Sequence, residues 1–148
     1  MSDDTSAVGR SGRGGVVAQV VLVMGVAFAV QLLLPFRGDS TAHVMGGAAL
    51  TMAAGALVPS ALIRRAAGRV EAAVFALVVA VAWVAEMTVL GPFDLLDVTF
   101  GAAGSFVALA ALPRWSDLDR AGRVRLGRVA AGLMALAALW RYGVRIGH

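Results

Sequence analysis

Apolar residues run along this chain in long blocks, separated by short links that hold most of the charge. The first block, residues 15–35, is uninterrupted and meets the ~20 helical residues that a hydrocarbon core requires. Further blocks cover residues 41–63, 70–90 and 96–112, closed by Arg64-Arg65, Gly91-Pro92 and Pro113-Arg114. A shorter block over residues 129–142 follows a polar link. It crosses a bilayer if Arg128 and Arg141 reach opposite interfaces along their aliphatic stems, and otherwise lies flat as an amphipathic helix. Residues 1–14 are rich in Gly, Ser and Asp and read as a disordered tail. The pattern predicts an all-α fold, a transmembrane helix bundle of four to five spans forming one domain over residues 15–148. The first block exceeds the ~7–15-residue core of a secretory signal and no small-x-small site follows it, so it is expected to persist as a span.

Composition agrees with that pattern. Of 148 residues, 59% are hydrophobic and 15% charged, and the mean hydropathy is +0.82. Soluble domains carry about 45–50% apolar and about 25% charged residues. The absence of cysteine excludes disulfides, thiolate metal sites and cysteine catalysis. All 13 basic residues are arginine, and they fall in short links rather than on a soluble basic patch, so nucleic acid is not an expected partner.

Ten of these arginines lie in the tail, in the 64–69 link and in the 114–128 link. Arg37, Arg141 and Arg145 lie on the opposite side when the last block crosses. The positive-inside rule then places the N-terminus and the two arginine-rich links in the cytoplasm. The short links at 36–40 and 91–95 face outward.

Ionisable groups are costly in lipid, so those within the blocks carry information. Asp39 and His43 stand four apart and share a helical face, Glu86 sits late in the third block, and Asp94 and Asp97 open the fourth. At ~1.5 Å per residue, His43 lies ~31 Å from Arg64, Glu86 ~26 Å from Arg69, and Asp97 ~26 Å from Arg114. Three helices of alternating direction thus bring their ionisable groups to one level near the outer edge of the hydrocarbon. Gly46, Gly47 and Gly55, with Gly101, Gly104 and Ser105, supply the small residues that let helices approach closely in lipid. Trp115, Trp140 and Tyr142 sit where interfacial anchors belong, with Trp83 deeper.

The segment Asp39-Ser40-Thr41-Ala42-His43 resembles the Asp-x-x-x-His signature of the VanZ-like family of small bacterial membrane proteins. Glu86 followed by Asp94-Leu95-Leu96-Asp97-Val98 resembles that family's Glu and Asp-x-x-Asp-[Val/Ile] elements. The chain departs from the family pattern at Thr88 to Leu90, where Gln is usual, at Pro92-Phe93, where Arg is frequent, and near Phe100, where Asn is usual. The resemblance covers about Asp39 to Gly104 and implies a multi-pass protein of the bacterial cytoplasmic (inner) membrane. It also implies a role at the cell envelope or in glycopeptide-type resistance, with Asp39, His43, Glu86, Asp94 and Asp97 as its polar cluster.

Three function classes fit the cluster. Glu86, His43 and Asp97 suit general acid–base work on an envelope or lipid-linked substrate, with Asp39 and Asp94 binding it. The same groups suit a proton relay in a small transporter, which would have to oligomerise at this length. They also suit a structural or partner-binding bundle, with His43 locking helices and Asp39 and Asp94 capping them. No cofactor is expected, although one His among carboxylates is compatible with a hard or borderline divalent metal. The lipid bilayer is the expected partner, with a second copy of the chain or an envelope protein as further candidates.

Overall fold

The computed structural model describes residues 5–35, 37–66, 68–89, 92–111, 115 and 118–146. The described chain is helical: α1 (Thr5–Leu33), α2 (Ser40–Leu57), α3 (Ser60–Arg65), α4 (Arg69–Thr88), α5 (Leu95–Ala111) and α6 (Arg120–Ile146). The all-α expectation holds among these residues.

Helix boundaries differ from the hydropathy blocks for local reasons. The block at 41–63 is not one helix. Proline lacks an N–H and disfavours helical conformation in the residue before it. Val58 is accordingly extended, α2 ends at Leu57, and a separate turn of helix starts after Pro59. Gly68, at φ 79°, gives the chain a left-handed turn before α4. Its N–H donates to Glu71 Oε2 at 2.7 Å. At the N-terminus, α1 begins at Thr5, ten residues ahead of the apolar block and within the stretch read as a tail. The final helix likewise starts at Arg120, so the short block at 129–142 is the distal part of a 27-residue helix.

Helix α2 occupies the centre, packed against α1, α4, α5 and α6. Eleven of its 18 residues are buried, and it is built from Gly, Ala, Ser, Thr and Met, small or adaptable side chains that admit neighbours on every side. Against α5 it forms a parallel ladder that repeats every fourth residue. His43 meets Asp97, Gly47 meets Gly101, and the Thr51 and Ser105 hydroxyls pair at 2.6 Å. A Cβ at Gly47 would overlap the Gly101 carbonyl oxygen, and one at Gly104 would overlap that of Val44. Backbones in such contact tolerate no side chain. Helix α6 runs antiparallel along all of α2: Arg123 donates to Val58 O at 2.6 Å at one end, and Trp140 donates to Gly38 O at 2.8 Å at the other.

The interior is mainly apolar but also buries several polar side chains, and large apolar side chains face outward. Gln19, Thr51, Ser105 and Glu86 are buried, and Gln19 Nε2 donates to Ala108 O at 2.6 Å across α1 and α5. Val17, Phe28, Leu77, Phe106 and Leu139 are each at least 60% exposed. Trp115 departs from its expected interfacial place: it is 1% exposed, with its indole against Gly55. A glycine notch on α2 makes room for it. Two helical stretches, Gly15–Leu33 and Arg69–Thr88, are long and apolar enough to cross a membrane, and Leu95–Ala110 is apolar but shorter. Of the expected four to five spans, length and hydropathy identify these two. Helix α2 is diluted by its polar and glycine positions, and α6 by the arginines of its first half.

Candidate functional site

One end of the bundle gathers the start of α2, the end of α4, the start of α5 and the end of α6. His43 lies one turn into α2, with its ring between two buried carboxylates. Nδ1 is 3.7 Å from Glu86 Oε1 on α4, and Nε2 is 3.3 Å from Asp97 Oδ2 on α5. Arg141 Nη1 on α6 stands 3.2 Å from the same Nε2. Four helices therefore meet at one imidazole.

That geometry sets its chemistry. A neutral Nε2 accepts from Arg141, while a protonated Nε2 donates to Asp97; it cannot do both at once. Which partner Nε2 serves therefore depends on which ring nitrogen carries the proton. On the other nitrogen the spacing to Glu86 exceeds hydrogen-bond distance, and Glu86 Oε1, on a residue 2% exposed, has no hydrogen-bond partner. A buried acceptor left in this state costs free energy unless a donor reaches it.

A second layer lies toward the surface. Arg37, in the link before α2, forms an ion pair with Asp94 and stands 3.5 Å from Asp97 Oδ1. Asp94 Oδ1 also accepts the Leu96 N–H at 2.8 Å, capping the start of α5. The Arg37 guanidinium first, and the Leu96 N–H second, hold the Asp94 carboxyl below the ordinary carboxylate value. Asp94 in turn holds Arg37 above its ordinary value. Asp39 occupies the N-cap position of α2 but makes no side-chain cap bond. Its carboxylate belongs instead with His43 and Asp97, each offering one donor atom within 4.8 Å of the others. That set is compatible with a hard or borderline divalent cation, whereas zinc favours more His or Cys.

Of the five residues singled out from the sequence, His43, Glu86, Asp97 and Asp39 converge, and Asp94 stands one step outward through Arg37. Arg37 and Arg141 were missed as site members. Each flanks an apolar block, the ordinary position of a topology-setting arginine, and hydropathy gives neither a further signal.

Beside the His43 ring, a cavity of about 240 Å³ lies between α4 and α6, over the face of α2. His43, Glu86 and Arg141 line its polar end, and Gly46, Leu50, Val78, Val81 and Met134 line the rest.

Comparison with family models, with curated proteins and with solved structures found no match to this chain. The site's chemistry therefore carries the functional reading.

Proposed function

We propose that this is a multi-pass protein of the bacterial cytoplasmic membrane, with its N-terminus inside, whose outward-facing site performs acid–base work on a lipid-linked envelope substrate. The observation that carries the reading is the His43 ring held between Glu86 and Asp97 beside a cavity at one end of the bundle. A titratable imidazole flanked by two carboxylates is equipped to take a proton from one group and deliver it to another.

The membrane setting is supported by the exterior of the bundle, where large apolar side chains such as Val17, Phe28, Leu77, Phe106 and Leu139 are exposed, while hydroxyls, an amide and carboxylates are buried among the apolar core residues. Large exposed apolar patches are rare on soluble monomers. Helix α6 packs along the whole of α2, so the two cross together. Arg64, Arg65, Arg69, Arg120 and Arg128 are exposed at the end opposite His43, as the positive-inside rule requires of a cytoplasmic face. The VanZ-like motifs at Asp39, His43, Glu86, Asp94 and Asp97 favour an envelope role in the same compartment. A proton-relay transporter is less well supported. Beyond the His43 level the α2–α5 seam is closed by Gly47 against Gly101, and the next buried polar groups are the neutral Thr51 and Ser105.

The test uses the cysteine-free chain. Single cysteines at Pro92 and Ala121 should be labelled by an impermeant maleimide from opposite sides of the membrane. His43→Ala and Glu86→Gln should each abolish most of a protein-dependent glycopeptide-resistance phenotype, since loss of an acid–base group slows a reaction by about 10²-fold or more, while insertion and melting temperature stay near wild type. Early unfolding of both variants, with no separable loss of phenotype, would identify the cluster as a helix lock and overturn the proposal.

A further inference from the structure

The cavity beside His43 is long in one direction and changes character along it. From His43 to Leu50 on α2, and from Arg141 to Met134 on α6, it runs about 10 Å along the helices at ~1.5 Å per residue. Its lining along α2 comes from positions 42, 43, 46, 47 and 50, one face of the helix, and along α6 from 134, 137, 138 and 141. Beyond the polar end, the walls carry no charged side chain.

The slot also opens sideways. Leu50 lies on the central helix yet is 36% exposed, and Val81 and Met134 on its two lips are 46% and 38% exposed. Helices α4 and α6 pack on α2 or α5 rather than closely on one another, which leaves the gap between them. A Cβ at Gly46 would meet nothing within 4 Å. This glycine therefore leaves open space in the slot, unlike its neighbour Gly47, which is filled by backbone.

Taken together, these features point to an amphiphile. We infer that the slot between α4 and α6 binds one alkyl chain of a lipid whose hydroxyl-bearing head group sits between Glu86, His43 and Arg141. The chain replaces bilayer contacts with apolar walls. A head-group hydroxyl sits at the polar end that Glu86, His43 and Arg141 line, where a carboxylate accepts its hydrogen bond and a guanidinium or ring N–H donates to its oxygen. The lateral opening lets such a molecule enter from the membrane with its chain already in lipid. The inference rests on the membrane reading above and specifies how a lipid-linked substrate is held.

The experiment uses the full chain in phospholipid nanodiscs with a diazirine-bearing hexadecanol as photoprobe. Crosslinks in the wild type should concentrate at Leu50, Val81 and Met134 and be displaced by unlabelled hexadecanol. Gly46→Phe, and independently Ala138→Phe from the opposite wall, should weaken this displaceable labelling about tenfold. Labelling of the outward-facing Leu77 and Phe106 should change in neither variant. Labelling at the slot that unlabelled hexadecanol does not displace, even in the wild type, would overturn the inference as ordinary lipid contact. So would displaceable labelling that both variants leave unchanged while their melting temperatures match wild type. The outcome separates from that of the acid–base reading: loss of phenotype in Glu86→Gln with non-displaceable labelling sinks the slot alone, and the reverse pair of results sinks the acid–base role alone.

Discussion

Arg141 Nη1 and His43 Nε2 lie 3.2 Å apart, although 98 residues separate them in the chain. The contact ties the end of the last helix to the beginning of the central one, and it places a fixed positive charge beside the ring nitrogen that also faces Asp97. It bears directly on metal binding. A cation held by Asp39, His43 and Asp97 would share this space with the guanidinium, and two unit positive charges ~4 Å apart repel by about 4 kcal/mol at an effective dielectric of 20.

The expected outcome is that manganese or zinc leaves the melting temperature of the wild type unchanged, while Arg141→Met gains stability from the metal. A metal present at about 100 times its Kd adds about 2.7 kcal/mol, enough to be read as a thermal shift of several degrees. A wild-type gain of that size would show that the guanidinium yields to the ion.

Two adjacent glycines provide an internal control on packing. Gly47→Ala forces a methyl into the Gly101 backbone and should cost about 1–3 kcal/mol, the range for overpacked sites. Gly46→Ala meets open space and should be neutral or add up to about 1 kcal/mol from helix propensity. Thermal or denaturant unfolding in detergent compares the pair. Equal effects at both positions would mean that the α2–α5 seam is looser than the described ladder.

The Arg37–Asp94 pair makes an acid-side prediction. Asp94 has a folded-state pKa below its unfolded value, so its contribution is present above the unfolded value, near ~3.9, and disappears as pH falls through the folded one. Arg37, held above its ordinary value, contributes at every pH below that range and adds no slope there. Asp94's share of the stability should therefore be lost as pH is lowered below about 4, read as the difference in melting temperature between wild type and Asp94→Asn. Asp94→Asn should flatten that part of the profile, with Asp97 as the nearest remaining carboxylate on Arg37. An unchanged acid slope in Asp94→Asn would remove the pair from the account.

Much of this protein is written in its sequence. The lengths of the apolar runs determine that it is helical, because only helices satisfy every backbone group within an unbroken apolar stretch. The rise per residue determines that His43, Glu86 and Asp97 reach one level. Pro59 marks the break in the second apolar block, but hydropathy averages across it. What the tertiary structure alone decided is the rotation of each helix about its axis and the choice of neighbours. A helix apolar on all sides has no preferred face, so side-chain volume and hydrogen bonding settle which face turns inward. That is why Gly46 opens onto a slot while Gly47 is sealed in a seam, and why Trp115 is buried rather than interfacial. It is also why Arg37 and Arg141, alike in sequence to every other flanking arginine, are drawn into the site.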